Sequence, residues 1–437
     1  MRHFSKFGFF RAPHHYAMVL FVLKWLLIGS VLGLLSGSAS AVFLLALNWV
    51  TEYREQHLWI IGLLPLGGLA IGMMYHYLGK GVEAGNNLLI DAIHSPGKTI
   101  PFKMAPLVLL GTLFTHLFGG SAGREGTAVQ MGGAIADQFT HWFRLKTEER
   151  RLLITAGISA GFASVFGTPL AGIVFGLEVF LMGRMRYEAI FPATIAAVVA
   201  DYTTTHLWQV GHTHYTIGTV PDLSALHIVY SIGAGITFGG ASLLFSKATH
   251  LCGAWFKRQV SYPPLRPLLG GGILVLAFYL VFYFLQTTKY TGLGIATIVE
   301  AFQHPLPSYD FALKLLFTAF TLGCGFKGGE VTPLFFIGAA LGSTLSCLIP
   351  LPTGLLAGMG FVAVFAGAAN TPLACTLMAM ELFGNQCGIY AGIACVTAYL
   401  FSGHTGIYTS QIVGSSKHAV LQHEEGQTLS NIEAKGS

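Results

Sequence analysis

One acidic motif occurs twice in this sequence, 205 residues apart, within segments that are otherwise apolar and rich in glycine. The two copies are Gly123-Arg124-Glu125-Gly126-Thr127 and Gly328-Gly329-Glu330-Val331-Thr332. A second motif returns at nearly the same shift, as Thr168-Pro169-Leu170-Ala171 and Thr371-Pro372-Leu373-Ala374. An internal duplication with one carboxylate at the same place in each half is typical of secondary transporters, whose ion sites lie where the repeats meet.

The composition favours a membrane protein. Only 10% of the 437 residues are charged, 53% are hydrophobic and 55 are glycine. A soluble chain of this size would carry roughly 25% charged residues. We therefore predict an all-α polytopic membrane protein, in which small residues allow helices to approach closely. Since a charge inside a bilayer is costly to keep, Glu125 and Glu330 are predicted to be functional.

Several apolar stretches are shorter than the roughly 20 residues that a helix needs to cross a bilayer. Others are interrupted at matching places in the two halves, at Gly167-Thr168-Pro169 and at Asn370-Thr371-Pro372. This pattern predicts half-helices whose ends meet inside the membrane. Irregular backbone is tolerated at that depth only where it is buried in protein or lines a watery cavity.

The predicted organisation has five segments. They are a cytoplasmic N-terminal segment (1–16), a first repeat (17–245), a basic linker (246–266), a second repeat (267–412) and a mobile polar tail (413–437). The positive-inside rule places the N-terminus and the basic clusters on the cytoplasmic side. The net charge of +5 fits contact with anionic lipid headgroups and does not require a nucleic acid.

We predict neither a metal site nor a cofactor. The six cysteines lack any CxxC spacing, and most of them lie in apolar runs, where cysteine acts as a small hydrophobic residue. His212 and His214 lie in a polar loop, where a histidine pair is more often solvated than bound to a metal.

The two glycine-rich turns are predicted anion sites. A turn of this kind that opens a helix directs several backbone N–H groups and the positive end of the helix dipole toward one point. The segments after Gly126 and Gly329 fit this pattern. A carboxylate placed there occupies the site as a tethered anion and leaves it when protonated, so Glu125 is predicted to be gate and proton carrier. The alternatives are a helix-capping carboxylate for Glu125 and a structural hydrogen-bond hub for Glu330.

These residues resemble motifs of the CLC family of chloride channels and anion/proton antiporters. Gly123-Arg124-Glu125-Gly126 resembles that family's gating-glutamate motif, with Thr127 where proline is usual. The further matches, in chain order, are Phe143-Arg144-Leu145-Lys146, Ala160-Gly161, Thr168-Pro169-Leu170-Ala171-Gly172-Ile173, Leu177-Glu178, Gly328-Gly329, Thr332-Pro333 and Tyr408. Because they span nearly the whole chain, the resemblance implies the CLC-type fold, with two inverted-topology repeats of many short, broken and tilted helices.

Three departures from the family pattern resemble its fluoride/proton antiporter branch, CLC-F. Asn86 and Asn87 stand in place of the usual Gly-Ser-Gly-Ile-Pro segment, Val179 stands where an acid is expected after Glu178, and Glu330 adds an acid. Fluoride is small and hard, so it needs strong donors, and an asparagine amide offers two N–H groups where serine offers one O–H. The alternative for Asn86-Asn87 is a helix N-cap and turn.

The resemblance implies a homodimeric antiporter in the inner membrane of a prokaryote, exporting cytoplasmic fluoride in exchange for external protons. It implies a gate at Glu125, with Glu330 taking part in the inner proton route. The implied anion-binding residues are Asn86, Gly126, Val331, Thr332 and Tyr408. The alternative function is a chloride/proton antiporter or chloride channel of the same family.

Two of the polar residues allow a second interpretation from the sequence alone. Tyr408, near a segment end, also fits an interfacial anchor. Lys327, beside Gly328, either attracts anions or extends its charge to the membrane interface.

An intramembrane hydrolase is a candidate of another class. Gly120-Ser121-Ala122-Gly123 faintly resembles a serine-nucleophile turn, with His116 or His404 as the base. The repeat argues against this interpretation, because the second half has no serine at the matching place. A serine nucleophile also does not explain two paired glutamates, so we predict that the protein is not an enzyme.

Overall fold

The computed structural model describes residues 12–95, 97 and 99–436, and it is almost entirely helical. The helices of the first half are α1 (Ala12–Gln56), α2 (Leu64–Leu78), α3 (Asn86–His94), α4 (Met104–Leu117), α5 (Glu125–Trp142), α6 (Thr147–Phe166), α7 (Pro169–Glu178) and α8 (Ile190–Tyr202). Those of the second half are α9 (Ala225–Gln259), α10 (Leu265–Leu285), α11 (Ile295–Ala301), α12 (Asp310–Gly323), α13 (Val331–Leu345), α14 (Thr353–Ala369), α15 (Pro372–Phe383) and α16 (Gly388–Phe401).

A few short elements complete the fold. Strands β1 (Leu181–Met182) and β2 (Ile412–Val413) pair in parallel, and helix α17 (Leu429–Gly436) ends the described chain. Four 3₁₀ turns cover Leu58–Leu63, Tyr187–Ala189, Asn385–Cys387 and Ala419–Glu424, and a π turn covers Thr203–Leu207.

Four helices of the described residues are long and apolar enough to cross a bilayer. They are His15–Gln56, Leu58–Leu78, Ala225–Gln259 and Leu265–Leu285. Several other apolar helices are shorter than a bilayer requires, including α4, α7 and α13–α15. The interruptions predicted from Gly167-Thr168-Pro169 and Asn370-Thr371-Pro372 separate α6 from α7 and α14 from α15. The prediction of a polytopic all-α protein with broken helices is therefore confirmed.

The two halves contribute matching helices in the same order. Helix α1 packs on α8 as α9 packs on α16, and α5 packs on α6 as α13 packs on α14. At the centre Gly123 and Gly329 form an antiparallel bridge, with N–H···O distances of 2.6 and 2.8 Å in the two directions. Both glycines lie two residues before the helix that follows, α5 or α13, so their antiparallel bonding marks a local two-fold axis, as inverted repeats require.

In this spatial alignment the shift is 206 residues, and Glu330 matches Arg124 while Val331 matches Glu125. The predicted equivalence of Glu125 and Glu330 is therefore wrong by one residue, because the two glycine-rich turns differ in length before their helices begin.

Two further carboxylates connect the repeats reciprocally. Glu178, at the end of α7, accepts hydrogen bonds from the N–H groups of Leu373 (3.2 Å) and Ala374 (2.9 Å) in the first turn of α15. Glu381 of α15 accepts from two N–H groups in the first turn of α7, at 2.9 and 2.8 Å. The first N–H groups of a helix have no intrahelical partner, and a negative charge there complements the helix dipole. Each repeat thus caps a half-helix of the other.

The predicted linker 246–266 is wrong over most of its length. Residues 246–259 belong to α9, and only 260–264 connect α9 to α10. The basic character of this stretch does not break the helix, because lysine and arginine are good helix formers. The two halves are instead connected by residues 208–224, which precede α9.

The predicted mobility of the tail 413–437 is also wrong for its described residues. Ile412 and Val413 pair with β1, and Leu429 is fully buried. The Lys417 ammonium donates to Asn370 Oδ1 and to the carbonyl of Gly403, both at 2.6 Å. The polar side chains of this tail therefore bind the ends of the transmembrane helices. Of the predicted N-terminal segment, residues 1–11 lie outside the described residues and 12–16 belong to α1.

We predict that Glu178→Ala destabilises the folded protein. The change leaves the N–H of the fully buried Ala374 without its acceptor, and an unsatisfied buried group costs about 1–3 kcal/mol. Thermal unfolding in detergent should show a lower midpoint for Glu178→Ala than for the control Glu188→Ala, which removes a carboxylate that is 61% exposed. Equal midpoints for the two variants would show that the reciprocal caps contribute nothing.

Candidate functional site

The two glycine-rich turns meet at the centre of the molecule, where side chains would not fit. A Cβ atom on Gly123 would lie 2.9 Å from the carbonyl oxygen of Gly329, and one on Gly329 would lie 2.8 Å from the N atom of Gly126. Only glycine permits this approach of two backbones. The contact fixes the amino ends of α5 and α13 next to each other, and those ends carry Glu125 and Thr332.

The Glu125 carboxylate lies at the amino end of α13 and is only 1% exposed. Its Oε2 accepts a hydrogen bond from the Thr332 N–H at 3.0 Å, and the Thr332 hydroxyl lies 2.7 and 2.6 Å from Oε1 and Oε2. The Arg124 N–H donates at 3.2 Å, and Arg124 Nε is 3.5 Å from Oε1. The carboxylate of the first repeat therefore caps the helix of the second repeat.

Two spaces lie near the two glycine-rich turns. The first is a small pocket of about 10 Å³, which we call the outer pocket and which is lined by Glu125 and, among others, by Arg124, His212 and Tyr215. The second is a cavity of about 170 Å³, which we call the central cavity. Its polar lining residues are Tyr75, Glu83, Asn86, Asn87, Gln130, Lys327, Glu330 and Tyr408.

The central cavity continues into a wider space of about 810 Å³, which we call the inner vestibule. The two share lining residues, including Tyr75, Asn87, Lys327 and Glu330. The inner vestibule also contains Lys257 and Arg266, which belong to the basic clusters that the positive-inside rule assigns to the cytoplasmic face.

The two neighbouring asparagines make different contacts. Asn86 begins α3, and its Nδ2 lies beside Gly126, where an added Cβ would be 3.1 Å away. Its Oδ1 is buried and has no hydrogen-bond partner among the described residues. Asn87 instead donates from Nδ2 to Thr409 Oγ1 and accepts from the Ser410 N–H, both at 3.1 Å. Asn87 thus attaches α3 to the segment that carries Tyr408, while Asn86 faces the cavity.

The remaining predicted site residues divide into two groups. Glu330 is half-buried immediately before α13, and Tyr408 is 4% exposed; both line the central cavity with Asn86. Thr332 is engaged by Glu125, and the Val331 side chain packs into the hydrophobic core instead of lining the cavity. The structure brings Asn86, Glu330 and Tyr408 around one space. Gly126 lies next to Asn86 and does not line that space, and Glu125 occupies the amino end of α13.

Sequence reasoning missed Gln130, which lines the same cavity and is 8% exposed. Its side-chain amide lies against Gly85, the residue before α3, where an added Cβ atom would be 3.3 Å from Gln130 Nε2. The sequence does contain a sign of this role, because Gln130 is a polar side chain in the glycine- and alanine-rich segment that follows Glu125.

The hydrolase interpretation finds no support in the contacts. Ser121 Oγ pairs with Thr318 Oγ1 at 2.8 Å. The His116 ring bonds the carbonyls of Thr112 and Ala122, and His404 pairs with Glu424. The described residues contain no group of three or more His, Cys, Asp or Glu side chains that would hold a metal.

Comparison with known proteins places this chain in a family. The sequence profile of the voltage-gated chloride channel family matches residues 67–403. The chain belongs to this family, the CLC family. A chloride/fluoride channel protein of Pseudomonas syringae pv. tomato is 56% identical to this CLC protein over 411 residues, which is 94% of this chain and 91% of that protein.

Solved CLC structures agree with the fold. A CLC-type fluoride/proton antiporter has a TM-score of 0.84 at 36% identity, over 89% of this chain and 98% of that one. A slow cyanobacterial Cl⁻/H⁺ antiporter has a TM-score of 0.75 at 20% identity, over 94% and 97% of the two chains, and this second similarity concerns the fold alone. The predicted family, its fluoride branch as the most similar one, and the CLC-type fold are confirmed.

This CLC protein has Val179 at the position where the family pattern suggests a second acidic residue. Val179 is 3% exposed, and its carbonyl accepts a hydrogen bond from Gln411 Nε2 at 2.7 Å. The side chain offers no site for a proton, so any inner proton route must use other residues.

Proposed function

We propose that this CLC protein is a fluoride/proton antiporter that exports cytoplasmic fluoride in exchange for external protons. The observation that carries the proposal is the Glu125 carboxylate, which occupies the donors at the amino end of α13 and lines the outer pocket. The 36% identity to a fluoride/proton antiporter of the same fold supports the choice of ions.

Glu125 acts in this proposal as a tethered anion that competes with fluoride. The Thr332 N–H and hydroxyl bind either the carboxylate or a mobile anion, because both need the same donors. Hydrogen bonds to charged groups contribute about 1.5–3 kcal/mol each, and a protonated carboxyl loses much of that advantage. A proton that arrives through the outer pocket therefore releases Glu125, and fluoride from the central cavity takes its place.

The central cavity suits a small, strongly hydrated anion. The Asn86 amide lies beside Gly126, and Tyr408 lines the same space, so an anion there meets neutral donors close to the amino end of α3. Fluoride has the highest charge density of the halides and regains the most from directed N–H and O–H donors. These donors set the preference for fluoride over chloride.

Glu330 takes part in the inner proton route, because Val179 offers no proton site. Glu330 lines both the central cavity and the inner vestibule, so a proton from Glu125 has a carboxylate to reach on the cytoplasmic side. Glu330→Gln is expected to slow proton movement in liposomes while fluoride still binds. Unchanged fluoride and proton fluxes in that variant would assign Glu330 a structural role.

A chloride/proton antiporter or a chloride channel of the same family is the second candidate. It is favoured by the relative from Pseudomonas syringae, which is described as a chloride/fluoride channel protein. We further propose that the protein acts as a homodimer in the inner membrane of a prokaryote, as the resemblance to the family implies.

Glu125→Gln is the variant that tests the gate. We expect the wild type, in liposomes, to drive protons uphill when fluoride runs downhill, and the variant to lose this coupled proton movement. Fluoride, chloride and pH electrodes in one vessel measure all three fluxes, and Glu188→Gln, which changes an exposed carboxylate, is the control. Fluoride-driven proton pumping by Glu125→Gln would overturn the assignment. Chloride-driven pumping by the wild type, without fluoride-driven pumping, would favour the second candidate.

Asn86→Ser is expected to relax the discrimination between fluoride and chloride. Serine offers one donor where the amide offers two, and a charge-assisted hydrogen bond of about 1.5–3 kcal/mol corresponds to a tenfold to hundredfold change in selectivity. The ratio of fluoride to chloride efflux rates measures the effect, with gel filtration to verify the fold. A variant that keeps the full preference for fluoride would assign selectivity to Thr332 and the backbone around Val331.

A further inference from the structure

Lys327 lies on the wall that the central cavity and the inner vestibule share. It directly precedes the Gly328-Gly329 turn. Its Cβ atom packs against Gly111 of α4, and a Cβ atom added to Gly111 would lie 2.9 Å from it. An anion that passes from the inner vestibule toward Asn86 and Tyr408 therefore passes Lys327.

An aromatic ring holds the ammonium group of Lys327. Its Nζ lies 4.2 Å from the centroid of the Tyr75 ring, and Tyr75 lines the same two spaces. Such a contact attracts a cation through the negative face of the ring. The face of a ring is not a carboxylate or carbonyl acceptor, so it orients the ammonium without using up its three N–H donors.

The ammonium of Lys327 has no carboxylate within 4.0 Å among the described residues, unlike Lys289, whose Nζ lies 2.7 Å from Asp310 Oδ2. Glu83 and Glu330 line the central cavity and act on Lys327 only at longer range. Those two carboxylates would repel an anion from the cavity, and Lys327 is the basic residue in its lining that offsets them.

We propose that Lys327, held by Tyr75, is the inner loading site, where a partly hydrated halide ion binds before it enters the central cavity. The inference rests on the proposed export of fluoride and adds to it the residue that captures the anion. A lysine suits this task because its ammonium is a compact, strongly hydrated charge that tolerates water in the shell of its partner. The loaded ion then exchanges the ammonium for the donors around Asn86.

Lys327→Met tests the proposal because it removes the charge and keeps a similar apolar stem. We expect the fluoride concentration at half-maximal efflux to rise at least fivefold, while the maximal rate and the number of protons per fluoride stay as in the wild type. In Lys327→Arg, which keeps the charge, the half-maximal fluoride concentration should stay within about twofold of the wild-type value. Lys80→Met removes an exposed lysine that lines neither space and controls for net charge.

Initial efflux rates from liposomes loaded with increasing fluoride give the half-maximal fluoride concentration and the maximal rate. A pH electrode gives the number of protons exchanged per fluoride. An unchanged half-maximal concentration in Lys327→Met, or a lower maximal rate alone, would overturn the proposal. Tyr75→Leu, expected to raise the same concentration through loss of the orienting ring, replaces Lys327→Met if that variant does not purify as a folded protein. If the wild type exports chloride and not fluoride, the proposed function fails; the same series with chloride then tests the loading site separately.

Discussion

The Glu125 carboxylate accepts hydrogen bonds from the backbone and the hydroxyl of Thr332, although the two residues belong to different halves of the chain. A charge buried in a membrane protein needs such compensation, and here the amino end of α13 supplies it. The bridge between Gly123 and Gly329 makes the contact possible, since any side chain at those positions would separate the two turns. The contact between Glu125 and α13 therefore depends on both the internal duplication and the glycines that let the two turns meet.

The central cavity differs from the rest of the core in how its polar groups are used. Other polar side chains of the protein bond protein groups, as Glu178, Glu381 and Asn87 do. Asn86 Oδ1 has no hydrogen-bond partner and the Lys327 ammonium no carboxylate within 4.0 Å among the described residues. Buried polar atoms without partners, such as Asn86 Oδ1, are rare in folded proteins and call for an explanation. Asn86 Oδ1 is an acceptor that suits a water molecule of an anion's hydration shell, and the Lys327 ammonium suits the anion itself. A mobile hydrated anion therefore fits both residues and the proposed exchange.

Much of the fold followed from the sequence because it depends on local patterns. The low charge predicted the helical membrane protein, and Gly167 and Asn370, both of left-handed backbone conformation, marked true breaks between half-helices. The contacts between the repeats did not follow from spacing, because they depend on the two-fold relation in space. Glu178 and Glu381 recur in the sequence, but only the structure shows that each caps the other's helix. For residues 246–259 the local pattern itself was misleading. Their basic charge predicted a linker, but they form the carboxyl end of α9.

The central claim is that the Glu125 carboxylate and the transported anion compete for the donors at the amino end of α13. The most direct test is proton uptake when fluoride is added to the detergent-solubilised protein in weak buffer, compared between the wild type and Glu125→Gln. Competition links the two ligands, so the wild type should take up protons as fluoride displaces the carboxylate, on the order of one per bound anion, and Glu125→Gln should take up none. Fluoride binding to the wild type without proton uptake, or equal uptake by the variant, would contradict the account.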